Sequence, residues 1–178
     1  MAQDQAAQLL HAMGAGDVRA ARRLSDMLTP RIYAQAYRMT GHSAQAEDIV
    51  QEVLVKLWKQ APTWDDSRAK VSTWVYRVTA NACLDHLRRP RLLGDDAIPD
   101  MADMGPSASQ HLQHTARVDA LQEALMQLPD RQRQAVVLRY IEGLSNPDIA
   151  HILDTSVDAI ESLSARGKRA LSNILRPQ

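Results

Sequence analysis

Between residues 64 and 91 the chain interleaves aromatic and basic side chains. Trp64, Trp74 and Tyr76 alternate with Arg68, Lys70, Arg77, Arg88 and Arg89. Flat rings beside fixed cations are what unstacked single-stranded bases and their phosphates require. Residues 68–91 hold six basic side chains against one acid, Asp85, and affinity for nucleic acid follows such local charge. On a helix, Arg77, Asn81 and Arg88 fall within about 40° of one another, apart from Val75, Val78 and Ala82. The same composition also fits a helix with Trp74 in its core and its arginines in solvent.

Two further constellations accompany it. Glu47, Asp48, Gln51 and Glu52 share one helical face with Trp58 near its edge. An acidic stripe ending in a Trp can bind a partner helix by charge complementarity and an aromatic anchor, and it fits an ordinary solvated face equally well. At 145–175 a short helix, a three-residue turn and a longer helix are spaced as in a helix-turn-helix, with Ala150 at the crossing and Val157 and Ile160 as anchors. Pattern alone leaves an ordinary helical hairpin open. His111 and His114 have ligand-like spacing but no supporting cysteine or acid cluster, so no metal site or cofactor is expected. No phosphate loop, nucleophile elbow or dinucleotide fingerprint occurs, and a hydrolase built on those histidines has no cluster to support it.

The elements that must position these residues are helical. Ala, Leu, Gln, Arg and Asp dominate, and there is no Phe, a balance that disfavours sheet. The predicted class is all-α: two small helical domains joined by a flexible acidic linker, the C-terminal one a helix-turn-helix. Helices are expected over 4–13, 17–40, 44–60 and from an N-cap at Ser72 to about Arg89, with Pro30 bending or splitting the second. Leu24, Leu28, Ile32, Ala36 and Met39 describe one buried face. Pro90, Gly94, Pro99, Gly105 and Pro106 then break the periodicity. The expected domains are 1–90 and 117–178, each with its own modest core, and the linker is 91–116. In the second domain, Pro129 ends one helix, Asp130 caps the next with Val136, Val137, Tyr140 and Ile141 as its apolar residues, and Gly143 closes it. Ser145 and Asp148 form a capping box. Asp154-Thr155-Ser156 makes the turn.

Net charge is zero across the 178 residues, but its distribution is uneven. Residues 1–95 carry 13 basic and 10 acidic side chains, and residues 96–116 carry three acids and no base. The single cysteine, Cys83, excludes an intramolecular disulfide and a cysteine zinc cage. No apolar run approaches the ~20 residues of a membrane span, and the first residues lack the order of a signal peptide. A soluble, cytoplasmic protein without membrane insertion, monomeric when free, is expected.

In this order, the three constellations resemble the extracytoplasmic-function sigma factors of bacteria. The stretch Ala46–Trp58 is similar to the conserved-region-two helix that grips the beta-prime coiled coil of core RNA polymerase. Ser72–Asn81, continuing through Asp85–Arg89, resembles the segment that melts and reads the minus-ten element. Leu128–Arg133 and Tyr140–Ser145 resemble the opening of region four, whose helix-turn-helix reads the minus-thirty-five element. The resemblance implies a non-enzymatic alternative sigma factor for a stress or environmental response. Its implied partners are core polymerase through the beta-prime and beta subunits, promoter DNA and an anti-sigma factor.

The residues it implies for polymerase are Glu47, Asp48, Gln51, Glu52 and Trp58. For the minus-ten element they are Arg68, Lys70, Ser72, Trp74, Arg77, Asn81, Arg88 and Arg89. For the minus-thirty-five element they are Ser156, Asp158, Ala159, Glu161, Ser162, Arg166, Lys168 and Arg169. Glu161 and Leu163 stand where many members carry a basic residue. Asp154 stands where Gly is frequent, in a left-handed turn that Asp tolerates. The alternative, a ligand-responsive helix-turn-helix regulator, has no use for the basic aromatic segment at 64–91.

Overall fold

The computed structural model describes residues 2–88 and 110–176, with side chains over 5–88 and 117–176. These residues form eight α-helices and no strand: α1 (Ala2–Gly14), α2 (Val18–Thr40), α3 (Ser43–Gln60), α4 (Val71–Arg88), α5 (Gln110–Met126), α6 (Asp130–Val136), α7 (Asn146–Ile152) and α8 (Val157–Ile174). A 3₁₀ turn, Ala61–Thr63, follows α3, and a π-helical turn, Val137–Ile141, continues α6.

Local chemistry sets most of the ends. Asp17 Oδ1 accepts from the N–H groups of Arg19 and Ala20 at 2.8 and 3.1 Å, which starts α2. Gly41, at φ 75°, stops it with a bond from its N–H to Tyr37 O at 2.8 Å. The helix runs unbroken through Pro30, so proline neither splits it nor ends it. Its missing N–H removes one ladder bond, while buried Leu28 and Ile32 fix the turns on either side. Helix α4 begins at Val71, one residue before the expected cap at Ser72. Asp130 is not a cap: Pro129 holds that position, and Asp130 instead pairs with Arg133 at 3.3 Å. Helix α5 reaches back to Gln110, inside the stretch expected to be linker.

Helices α1 to α4 bury Leu10, Leu24, Ile32, Met39, Ile49, Val53, Leu57, Val75 and Cys83, each almost completely. Burial pushes the Cys83 thiol up to about 12, so it is an inert packing group. The expected separate cores are joined: Leu125, Leu128, Val136 and Val137 belong to the same apolar cluster as α1 to α4. A second cluster joins Tyr76 and Ala80 of α4 to Leu138, Ile149, Ile152 and Ile160.

Arg133, 5% exposed, ties the halves together. Its Nε donates to Leu125 O at 2.9 Å, and its Nη2 to Leu128 O at 3.1 Å and Met126 O at 3.3 Å. Its Nη1 donates to Met39 O, at the end of α2. The guanidinium thus reaches the C-terminal carbonyls of α2 and α5, which have no intrahelical donor, and the Leu128 carbonyl just beyond α5.

Candidate nucleic-acid interface

Helix α3 presents the acidic stripe to solvent. Glu47, Asp48 and Gln51 are exposed, and the stripe ends in two bare apolar side chains, Val55 at 51% and Trp58 at 64% exposure. Glu52 sits lower. Its Oε1 accepts from Lys56 Nζ at 2.6 Å, and its Oε2 lies 3.5 Å from His86 Nε2 on α4. The Lys56 hydrogen bond, opposed by partial burial, holds this carboxyl below its usual range. Glu52 therefore braces α3 on α4, and the free edge consists of Glu47, Asp48, Gln51, Val55 and Trp58. Val55 extends the stripe at i+4 from Gln51, a spacing the sequence already contained.

Residues 64–70 form a loop between the 3₁₀ turn and α4. Trp64 and Trp74 meet edge to face, centroids 6.0 Å apart at 88°, an arrangement that fixes both rings. Both are half-buried. Trp64 Nε1 donates to Asp66 Oδ1 at 2.8 Å, and Asp66 Oδ2 lies 2.6 Å from His11 Nε2 on α1. Asp65 Oδ1 accepts from Ser67 N and Ser67 Oγ at 2.9 and 2.6 Å. These bonds hold both carboxyls below their usual range: the His11 contact leads at Asp66, and the Ser67 hydroxyl leads at Asp65. With the acids engaged, Arg68 and Lys70 project into solvent, although Arg68 Nε remains 3.9 Å from Asp65. The sequence reading missed His11 and Asp66, which lie 55 positions apart.

On α4, Asn81 and Arg88 are exposed, and Ser72, Trp74 and Arg77 are half-buried. Arg89 lies outside the described residues. Tyr76 is 4% exposed, so in this structure it cannot serve as a stacking platform. Its hydroxyl donates to Glu142 Oε2 at 3.0 Å, and the Arg31 guanidinium sits 5.3 Å from its ring centre. Burial first, and then the Glu142 charge, push its hydroxyl up to about 12.

The second DNA-reading candidate is the pair α7 and α8. Ser145 Oγ accepts from Asp148 N–H at 3.2 Å and starts α7, as its spacing indicates. Asp154 takes the left-handed turn at φ 48°, and Ser156 Oγ caps α8 by accepting from Ala159 N at 3.2 Å. Ile160 is fully buried, but Val157 is 37% exposed and anchors little.

Asp158, Glu161, Ser162, Arg166 and Arg169 are exposed, and Ala159 is half-buried. Glu161 is not free: Asn146 Nδ2 reaches its Oε1 at 3.5 Å. Lys168 turns from that face, its Nζ lying 5.4 Å from the centre of the half-exposed Tyr140 ring. Both line an apolar groove of about 660 Å³ with Leu121, Val136, Leu171 and Leu175. Tyr140, one of the apolar residues of this helix, forms the rim of the groove.

Among the described residues no group of three or more His, Cys, Asp and Glu could hold a metal, and no helix is long and apolar enough to cross a membrane. The side chains of His111 and His114 lie outside the described residues.

Comparison with known proteins agrees with this layout. The Sigma-70 region 2 family model matches residues 24–92, and the Sigma-70 region 4 model matches 119–171. The chain is 30% identical to the ECF RNA polymerase sigma factor SigW of Bacillus subtilis, over 90% of this chain and 91% of that protein. It is 33% identical to the ECF RNA polymerase sigma factor SigM of Mycobacterium tuberculosis, over 95% of this chain and 84% of that protein. Among solved structures, CnrH in complex with the cytosolic domain of CnrY superposes with a TM-score of 0.68 at 25% identity, covering 96% of this chain and 97% of that one. The sigma factor RpoE in complex with the anti-sigma factor NepR from Bartonella quintana shares the fold. It has a TM-score of 0.70 at 23% identity, covering 89% of this chain and 98% of that one.

Proposed function

From the premise that this chain belongs to the extracytoplasmic-function RNA polymerase sigma factors, we infer how its residues divide the work of transcription initiation. It is an alternative sigma factor. In the proposed division, residues 1–90 act as region two and residues 117–178 as region four, joined by 91–116. It acts in the cytoplasm as a non-enzymatic subunit, and catalysis is the polymerase's own.

The exposed α3 edge of Glu47, Asp48, Gln51 and Trp58 is the proposed grip on the beta-prime subunit, with Val55 enlarging its apolar end. Glu52 supports that grip from behind. The apolar groove under Tyr140 suits a hydrophobic segment of the beta subunit. An anti-sigma factor is a further proposed partner, in keeping with the complexes formed by CnrH and RpoE.

The minus-ten readout is assigned to Arg68, Lys70, Ser72, Trp74, Arg77, Asn81, Arg88 and Arg89. The observation that carries this assignment is the loop 64–70, buttressed by the Trp64–Trp74 pair with its acids engaged and its cations outward. A flipped non-template base captured there offsets part of the few kcal/mol that unstacking costs. Ser156, Asp158, Ala159, Glu161, Ser162, Arg166 and Arg169 are proposed for the minus-thirty-five duplex, where Glu161 can accept from cytosine N4. Lys168 contributes at most from the edge of that face.

The test is Arg77→Ala with Asn81→Ala, followed by permanganate reactivity of melted thymines. Open-complex yield should fall about tenfold or more on an ordinary promoter and recover on a pre-melted one. Equal, wild-type yields on both templates would remove the assignment.

A further inference from the structure

Loop 64–70 is held from two directions. On one side the Trp64 ring stands edge-on to Trp74 of α4. On the other, the Asp66 carboxylate bridges the loop to α1. Its Oδ1 accepts from Trp64 Nε1 at 2.8 Å, and its Oδ2 lies 2.6 Å from His11 Nε2. An ionised carboxylate can only accept, so His11 Nε2 carries the proton of this bond. Among the described residues, it is the one side-chain hydrogen bond that joins loop 64–70 to a helix. The neighbouring acid, Asp65, is spent inside the loop on Ser67.

Helix α1 is seated firmly enough to serve as the fixed end. Leu10 is fully buried and Met13 nearly so. The last residue of the helix, Gly14, presses on the 3₁₀ turn, where a Cβ would lie 2.6 Å from Ala61 O and 2.8 Å from its carbonyl carbon. Only glycine permits that approach. The turn leads directly into the loop, so α1 fixes the loop's entry through Gly14 and its middle through Asp66. The His11 and Asp66 side chains are 50% and 53% exposed. A pair that open contributes little to stability, and what it supplies is placement of the groups around it.

Placement matters here because of charge. Asp66 stands two residues before Arg68 and four before Lys70, and all three are exposed. Released from His11, its carboxylate is free to turn to those cations or to face an incoming phosphate. Either outcome weakens a cationic surface for DNA. The Trp64 indole would at the same time lose the fixed acceptor that orients it.

We propose that His11 is a positioning residue of the minus-ten site: by holding Asp66 it orients Trp64 and keeps Arg68 and Lys70 free for the non-template strand. Helix α1 precedes residue 24, where the region-two match begins, and so adds a support that lies outside the matched stretch. For its consequence this role rests on the minus-ten reading; the contacts that produce it do not.

Fluorescence anisotropy with the reconstituted holoenzyme tests it. The probe is a fluorescein-labelled fork junction exposing the non-template minus-ten strand of a promoter that the wild-type holoenzyme transcribes. Alanine is a strong helix former at an exposed site, so α1 survives His11→Ala. That variant should bind the probe about fivefold more weakly, with a melting temperature within about 3 °C of wild type. His11→Gln returns an N–H donor near the position of Nε2 and should restore most of the affinity, which a packing role alone would not. In an Asp66→Ala background, His11→Ala should change affinity by less than about twofold, because His11 acts through Asp66. Wild-type affinity in His11→Ala would overturn the proposal. So would a His11→Gln as weak as His11→Ala, or a fivefold loss that persists without Asp66. A wild-type holoenzyme that binds equally well when the minus-ten bases are scrambled would instead remove the minus-ten reading itself.

Discussion

Arg133 offers the most demanding test of how the two halves are held. Replacing it with Ala strips the side-chain donor from the carbonyls of Met126 and Leu128 in its own half and of Met39 at the end of α2, and from Leu125 O, which keeps the Leu128 N–H at 3.1 Å. Each buried acceptor left without a partner costs about 1–3 kcal/mol. Relief of the arginine's own desolvation, which already holds its pKa below the usual value, returns part of that sum. Removing one side of a buried ionic arrangement typically nets about 3–5 kcal/mol, and the lower end applies because water can reach Met126 O. With a urea slope of about 2–3 kcal/mol per molar, the midpoint should fall by about 1–1.5 M. Arg133→Lys keeps the charge but cannot reach four carbonyls with one ammonium, so it should lose more than half as much. A shift under about 0.2 M for Arg133→Ala, or a Lys variant indistinguishable from wild type, would refute the capping role.

Three other outcomes follow from particular contacts. Gly41→Ala puts a Cβ 2.6 Å from Met126 Sδ at φ +75°, whereas Gly143→Ala at φ +72° meets open space. Gly143→Ala should cost about 1 kcal/mol and Gly41→Ala measurably more, as read by thermal melts. Glu52 has a depressed folded pKa, so its contribution is present above its ordinary value of 4.5 and is lost as pH falls through the lowered one. Glu52→Gln should therefore melt about 1–3 °C below wild type at pH 7, with the gap closing below about pH 4.5; a gap that is independent of pH would contradict this. Asp48→Ala with Trp58→Ala should weaken polymerase binding about 30-fold in a pull-down titration while leaving the melting temperature in place, since both side chains are exposed.

Where a feature depends on neighbours in sequence, the residues declared it. The Ser145 cap, the left-handed Asp154 and the inward stripe of α2 each need only residues within a turn or two. Some positions were misread locally, as at Asp130, where neighbouring Pro129 holds the cap, and others depend on distant partners. Pro30 does not split α2, since the helix continues through it with Leu28 and Ile32 buried on either side. Tyr76 resembles a stacking platform until Glu142, 66 positions away, claims its hydroxyl. Arg133 stands in a motif matched by resemblance, and its work becomes visible only when Met39 arrives from the other module. The acidic α3 stripe was legible, but the division between a bracing Glu52 and a free Asp48 needed His86 in place.

The central claim is that this chain directs polymerase to promoters, and transcription in vitro on a promoter library with core RNA polymerase tests it most directly. Discrete start sites sharing minus-ten and minus-thirty-five motifs should appear only when chain and core are both present. Tight, sequence-specific binding to duplex DNA by the chain alone, with no core-dependent transcripts, would contradict the account.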